Sequence, residues 1–117
     1  MPSRQQVSDF IRATFRSVWA VELLSFLRTN RQRAPSQAEM VRELRASDLV
    51  VAQSLKSLAA AGLVELVAGG ARYRPASPEL DIYAAITEAN FATSPASVRH
   101  LIAADAPHEA ANPVNIA

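Results

Sequence analysis

Apolar residues recur at helical spacing over most of this chain and switch to alternation in one short stretch. Val51, Leu55, Leu58 and Gly62 fall on one face of a helix that starts at Ser47 or Asp48, either of which can satisfy its first N–H groups with a side-chain oxygen. Gly62 ends this helix, since glycine takes the left-handed conformation at no steric cost. Leu63 to Val67 is a short apolar run with one charge and predicts a strand, and Gly69-Gly70 predicts a two-residue hairpin turn. That turn sets Ala68 opposite Ala71, Val67 opposite Arg72, Leu66 opposite Tyr73 and Glu65 opposite Arg74. Alternation then places Val64, Leu66 and Tyr73 on the core face, with Glu65 and Arg74 paired in solvent.

Upstream, Ser36-Gln37-Ala38-Glu39 has the form of a capping box, in which Ser36 caps the Glu39 N–H and Glu39 reaches back to the serine N–H. Ala38, Val41 and Leu44 supply the buried stripe of a short helix. Before it, Gln5 to about Thr29 reads as helix, with Val7, Phe10, Ile11, Thr14, Phe15 and Val18 on one stripe and Trp19, Leu23, Phe26 and Leu27 continuing it. Ser17 is a second cap, so a bend near Phe15–Ser17 divides this stretch into two helices. Arg28, in the last turn, favours the C-terminal dipole of its own helix. After the hairpin, Ser77-Pro78 starts a helix to about Ala92 and Ser94-Pro95 starts another that ends near Ala104. Asp105 to Ala117 lacks periodicity and reads as a mobile tail. The expected fold is mainly α with a small β-hairpin.

Composition narrows the functional classes. The chain has 117 residues, half of them hydrophobic, and no cysteine, so disulfides and thiolate metal sites are excluded. His100 and His108 lie too far apart for a shared metal face on one helix, no glycine-rich phosphate loop occurs, and no nucleophile signature is present. No enzyme activity and no cofactor are therefore expected. Met1 to Phe15 does not have the form of a signal peptide, and the apolar run Val18 to Leu27 is too short and too interrupted to span a bilayer. A cytoplasmic location with no membrane partner is the expectation. Net charge is +1 but unevenly placed: through Ala76 there are 11 basic and 6 acidic residues, and from Ser77 on there are 1 and 5. A basic first part points to a polyanionic partner.

The order helix, turn, helix, then Leu58-Ala59-Ala60-Ala61-Gly62-Leu63-Val64 and a hairpin resembles the winged helix-turn-helix domain of MarR-type bacterial transcriptional regulators, over roughly Val18 to Pro75. The resemblance implies a winged helix-turn-helix with extra N- and C-terminal helices. Residues 1–76 would form that domain with its N-terminal helix, 77–104 a helical extension and 105–117 the tail. It also implies a sequence-specific regulator of transcription that binds double-stranded DNA, with a recognition helix at about 48–61 and a wing at 63–75. Leu49, Val50, Gln53 and Ser57 would face the major groove with Lys56 nearby, Gln53 pairing with adenine and the apolar pair meeting thymine methyls. Ser54 and Ser57 offer hydroxyls to phosphate or base, phosphate contacts would fall to Arg42, Arg45, Lys56, Arg72 and Arg74, and Ser36 completes the DNA-binding set. Phe10, Ile11, Phe15, Tyr83 and Phe91 exceed the needs of such a domain and suggest a homodimer through the terminal helices. The alternative is a winged helix that binds a protein partner, a reading suited by exposed Leu49 and Val50, the extra apolar surface of the first helix and the modest net charge, while Asp48 at the front of the reading face would repel phosphate.

Overall fold

Serine residues fix most of the helix starts. The structure, a computed structural model, describes residues 1–105. The described residues form α1 (Arg4–Thr14), α2 (Val18–Thr29), α3 (Gln37–Leu44), α4 (Asp48–Ala60), β1 (Val64–Val67), β2 (Gly70–Tyr73), α5 (Pro78–Thr93) and α6 (Pro95–Asp105). Ser3, Ser36, Ser47 and Ser77 each accept a hydrogen bond from the backbone N–H three residues on, at 3.1 Å in all four cases. Such a cap typically contributes about 1 kcal/mol. The reciprocal half of a capping box forms at Ser3 with Gln6. At Ser36 it does not, because the Glu39 carboxylate is taken by Arg33, whose hydrogen bond holds that carboxyl below its usual pKa. Ser17 precedes α2 as expected but makes no side-chain cap bond. The expected tail lies outside the described residues, apart from Asp105, which closes α6.

The helices α2, α3 and α4 pack around the hairpin, with α2 against α4, α5 and β2. Leu23, Leu24 and Leu27 of α2 are fully buried and join Val51, Leu55 and Leu58 of α4 in one core. In α3 the fully buried residue is Met40, while Ala38 is exposed. An eight-residue helix allows more than one apolar stripe, and packing against α2 and α4 selects the one through Met40, Val41 and Leu44. Helix α1 packs on α5 and α6. There Ile11 and Phe15 are 1% exposed, Phe10 stacks on Tyr83 at 4.8 Å, and Phe91 joins the same cluster. Of the residues that suggested a second copy, Ile11 and Phe15 are buried within the chain, while Phe10, Tyr83 and Phe91 are partly buried against its core. No helix among the described residues is long and apolar enough to cross a membrane.

The hairpin pairs Val64 with Tyr73, Glu65 with Arg72, Leu66 with Ala71 and Val67 with Gly70. The turn is therefore Ala68-Gly69, with Gly69 at φ +74°, and the expected register is corrected by two residues. A shift of two preserves which face each side chain takes, so Val64 and Tyr73 are buried as expected. Leu66 is not: it is 51% exposed, because α2 and α4 cover β2 and the start of β1 but leave the end of β1 projecting. Gly70 belongs to the strand because the segment before α3 lies against it. Gln37 N–H donates to Gly69 O at 2.8 Å and Ala71 N–H to Pro35 O at 3.2 Å, making a short antiparallel bridge beside β2.

A polar cluster fastens α5 to α2 and β2. Arg28 is ion-paired with Glu88, lies 4.0 Å from Asp81, and sits over the Tyr73 ring at 5.4 Å. Ser25 Oγ donates to Glu88 Oε2 and the Tyr73 hydroxyl to Asp81 Oδ1, both at 2.6 Å. Arg28, in the last turn of α2 as expected, therefore also serves a tertiary ion pair. Burial, and then the hydrogen bond to Asp81, push the Tyr73 phenol up to about 12. A raised pKa means the folded state favours the protonated phenol. That stabilisation is complete below the unfolded value of about 10 and is lost as pH rises through about 12. Urea midpoints are thus expected to fall over that window in the native chain. Tyr73→Phe should start lower, for want of the Asp81 bond, and show a flatter alkaline decline; an equal decline would remove Tyr73 from that role.

Candidate functional site

Helix α4 divides cleanly by burial. Val51, Ser54, Leu55 and Leu58 face the core. Leu49, Gln53, Lys56 and Ala60 are exposed and follow one another at spacings of three and four, so they form one outward stripe. Leu49 is 65% exposed, a cost that its neighbours in the described chain do not relieve. Val50 and Ser57 are half-buried at the edge of this stripe, where they line a groove against the start of α2.

The expected site residues separate into three groups. Leu49, Gln53 and Lys56 lie together on the stripe, with Val50 and Ser57 beside them. Arg42, Arg45 and Arg72 are exposed, and none forms an ion pair among the described residues. Arg42 is in the last turn of α3 and Arg45 lies in the turn that joins α3 to α4. Arg72 stands opposite Glu65 in the ladder, but the Glu65 carboxylate reaches diagonally to Arg74 at 3.4 Å. Both members of that pair are well exposed, so it contributes about 0–1 kcal/mol. Ser36 is exposed, yet its hydroxyl is occupied in capping α3.

Two findings depart from the sequence reading. Ser54 is only 5% exposed, inside the seam between α2 and α4 rather than on the outward stripe. Arg16 and Ser17 before α2 and Trp19 in its first turn join the site, lining the groove that Val50, Gln53 and Ser57 line from α4. The cap pattern at Ser17 marked this place in the sequence; its meeting with α4 is a tertiary event.

Arg45 has φ +54° and is the one non-glycine residue at positive φ among the described residues. It closes α3 in the left-handed conformation, which costs an L-residue about 1–2 kcal/mol. Glycine would meet that need with less strain.

No protein-family model, curated protein or solved structure matches this chain.

Proposed function

We propose that this chain is a winged helix-turn-helix protein that reads double-stranded DNA and regulates transcription. Helices α3 and α4 are the helix-turn-helix, α4 is the recognition helix and the hairpin is the wing, with the Pro35–Ser36 bridge beside β2 as its third, short strand. The observation that carries the reading is the outward stripe of α4. It presents the Gln53 amide and Lys56, with Arg42, Arg45 and Arg72 on adjoining elements held in no ion pair among the described residues. An amide at the start of a helix can pair with an adenine edge, and uncompensated cations can neutralise phosphates. The strained Arg45 fits the same purpose, since a cation kept where glycine is cheaper suggests a role outside folding.

The test separates positioning from reading. Arg72→Ala is expected to weaken binding to all duplexes alike and to reduce the salt slope by about one. Gln53→Ala should leave the slope unchanged and lower the preference at one base position by about 1–3 kcal/mol. Binding of random and selected duplexes across a salt series reads both. The 65% exposure of Leu49 favours a second reading, a winged helix that docks a protein. If neither variant alters duplex binding while Leu49→Asp abolishes a protein complex, that second reading replaces the first.

A further inference from the structure

Beside the outward stripe of α4, the groove against the start of α2 encloses about 310 Å³. Arg16, Ser17 and Trp19 line one side; Gln53, Ser54 and Ser57 line the other. Every polar side chain of these six can donate a hydrogen bond, one carries a positive charge, and no acidic residue lines the groove. Ser17 caps nothing with its hydroxyl, unlike Ser3, Ser36, Ser47 and Ser77. The first-turn amides of α2 are left without a serine oxygen at the positive end of a helix of 12 residues. A second observation is independent of that helix end. Ser54 on α4 is 5% exposed and lines the groove, and its hydroxyl makes no hydrogen bond among the described residues. Among the described residues the fully buried side-chain polar atom without a partner is Arg28 Nε, so the Ser54 oxygen is reached from the groove and is open to an acceptor there. An anion with several oxygens supplies one to each of these donors.

We propose that this groove holds one backbone phosphodiester of the duplex whose bases Gln53 reads. Arg16 is its charged partner, the hydroxyls of Ser17 and Ser54 are its donors, and the half-apolar wall at Trp19 meets the adjoining sugar. The proposal rests on the DNA reading above. Gln53 ties the two together, because it lines the groove and is also exposed on the stripe. A phosphate seated here sets the register of α4 along the major groove, the task that phosphate contacts perform for base contacts.

The experiment measures binding of a random-sequence duplex pool across a potassium chloride series, with the native chain, Arg16→Ala and Ser54→Ala, and follows Trp19 fluorescence. Arg16→Ala is expected to bind roughly three- to tenfold more weakly and to lose about one unit of salt slope, with the base preference due to Gln53 intact. Ser54→Ala should bind more weakly with no change in slope, since it removes a donor but no charge. Native affinity and slope in both variants, while Arg72→Ala loses them, would overturn the groove and leave the DNA reading standing. No duplex binding by the native chain, even at low salt, would overturn both. A titration with inorganic phosphate alone separates the sources. Weak, unsaturated quenching of Trp19 by phosphate supports a backbone contact. Saturable quenching that Arg16→Ala abolishes, with an unchanged duplex slope, would make the groove a free-anion site and overturn the backbone assignment.

Discussion

Gly70→Ala is expected to destabilise the fold by about 2–4 kcal/mol, well beyond the cost of the same change at Gly69. The two glycines are neighbours in sequence and serve different physical needs. A Cβ on Gly70 would overlap the carbonyl oxygen of Pro35 and come within 3.0 Å of Ser36 Cα, and neither backbone atom can turn aside. The segment before α3 would have to leave β2. Its hydrogen bonds, Gln37 N–H to Gly69 O and Ala71 N–H to Pro35 O, would be lost or lengthened. Overpacking typically costs 1–3 kcal/mol, and each lost hydrogen bond about 0.5–1.5 kcal/mol more. Gly69 has φ +74° with open space around it, so alanine there meets only the left-handed penalty of about 1–2 kcal/mol. Urea unfolding of both variants makes the comparison. Equal losses would show that the Pro35–Ser36 bridge contributes little.

Gly62→Val should cost about 2–4 kcal/mol and lower the thermal midpoint sharply. Gly62 has φ +80° and sits at the middle of the tight turn Ala61-Gly62-Leu63 that joins α4 to β1. Leu63 N–H reaches back to Leu58 O at 3.0 Å, and Ala76 N–H donates to Gly62 O at 2.8 Å, so the turn also anchors the chain that leaves the hairpin. A β-branched residue resists this backbone conformation. Its side chain would also press on Leu80 Cδ1 and Ala76 Cβ, which lie 3.3 and 3.4 Å from the position of a Cβ. Gly62→Ala isolates the backbone part, since its single methyl is accommodated with a small shift of Leu80. A valine variant no less stable than the alanine variant would show that the contact with α5 is slack.

Local chemistry was legible in the sequence wherever one residue's own backbone preference decides the outcome. Ser36, Ser47 and Ser77 start helices because a short side-chain oxygen satisfies a nearby amide, and Gly62 ends one because only glycine adopts its angle freely. The 3.6-residue period revealed the core of α4 in Val51, Leu55 and Leu58 but only Leu23 and Leu27 of that of α2, where Trp19 is exposed and Ala20, Val21 and Leu24 are buried instead. The parity of the strands placed Val64 and Tyr73 correctly even with the register displaced. What the tertiary structure decided is where one element meets another. Two glycines in a row fit a turn on either residue, and only the arrival of Pro35–Ser36 draws Gly70 into the strand. Met40 displaces Ala38 because the positions of α2 and α4 select the stripe of α3. Glu39 abandons its capping box for an arginine six residues away, and Arg28, in the last turn of its own helix, also pairs with Glu88, 60 residues on. Periodicity records that a face is apolar but not what covers it. The aromatic surplus of α1 pointed to a second copy, and α5 and α6 of the same chain cover Phe15 fully and Phe10 in part. The stripe of Leu49, Gln53 and Lys56 was written in the sequence of α4 alone; the groove beside it exists only because α2, some 30 residues earlier, packs there.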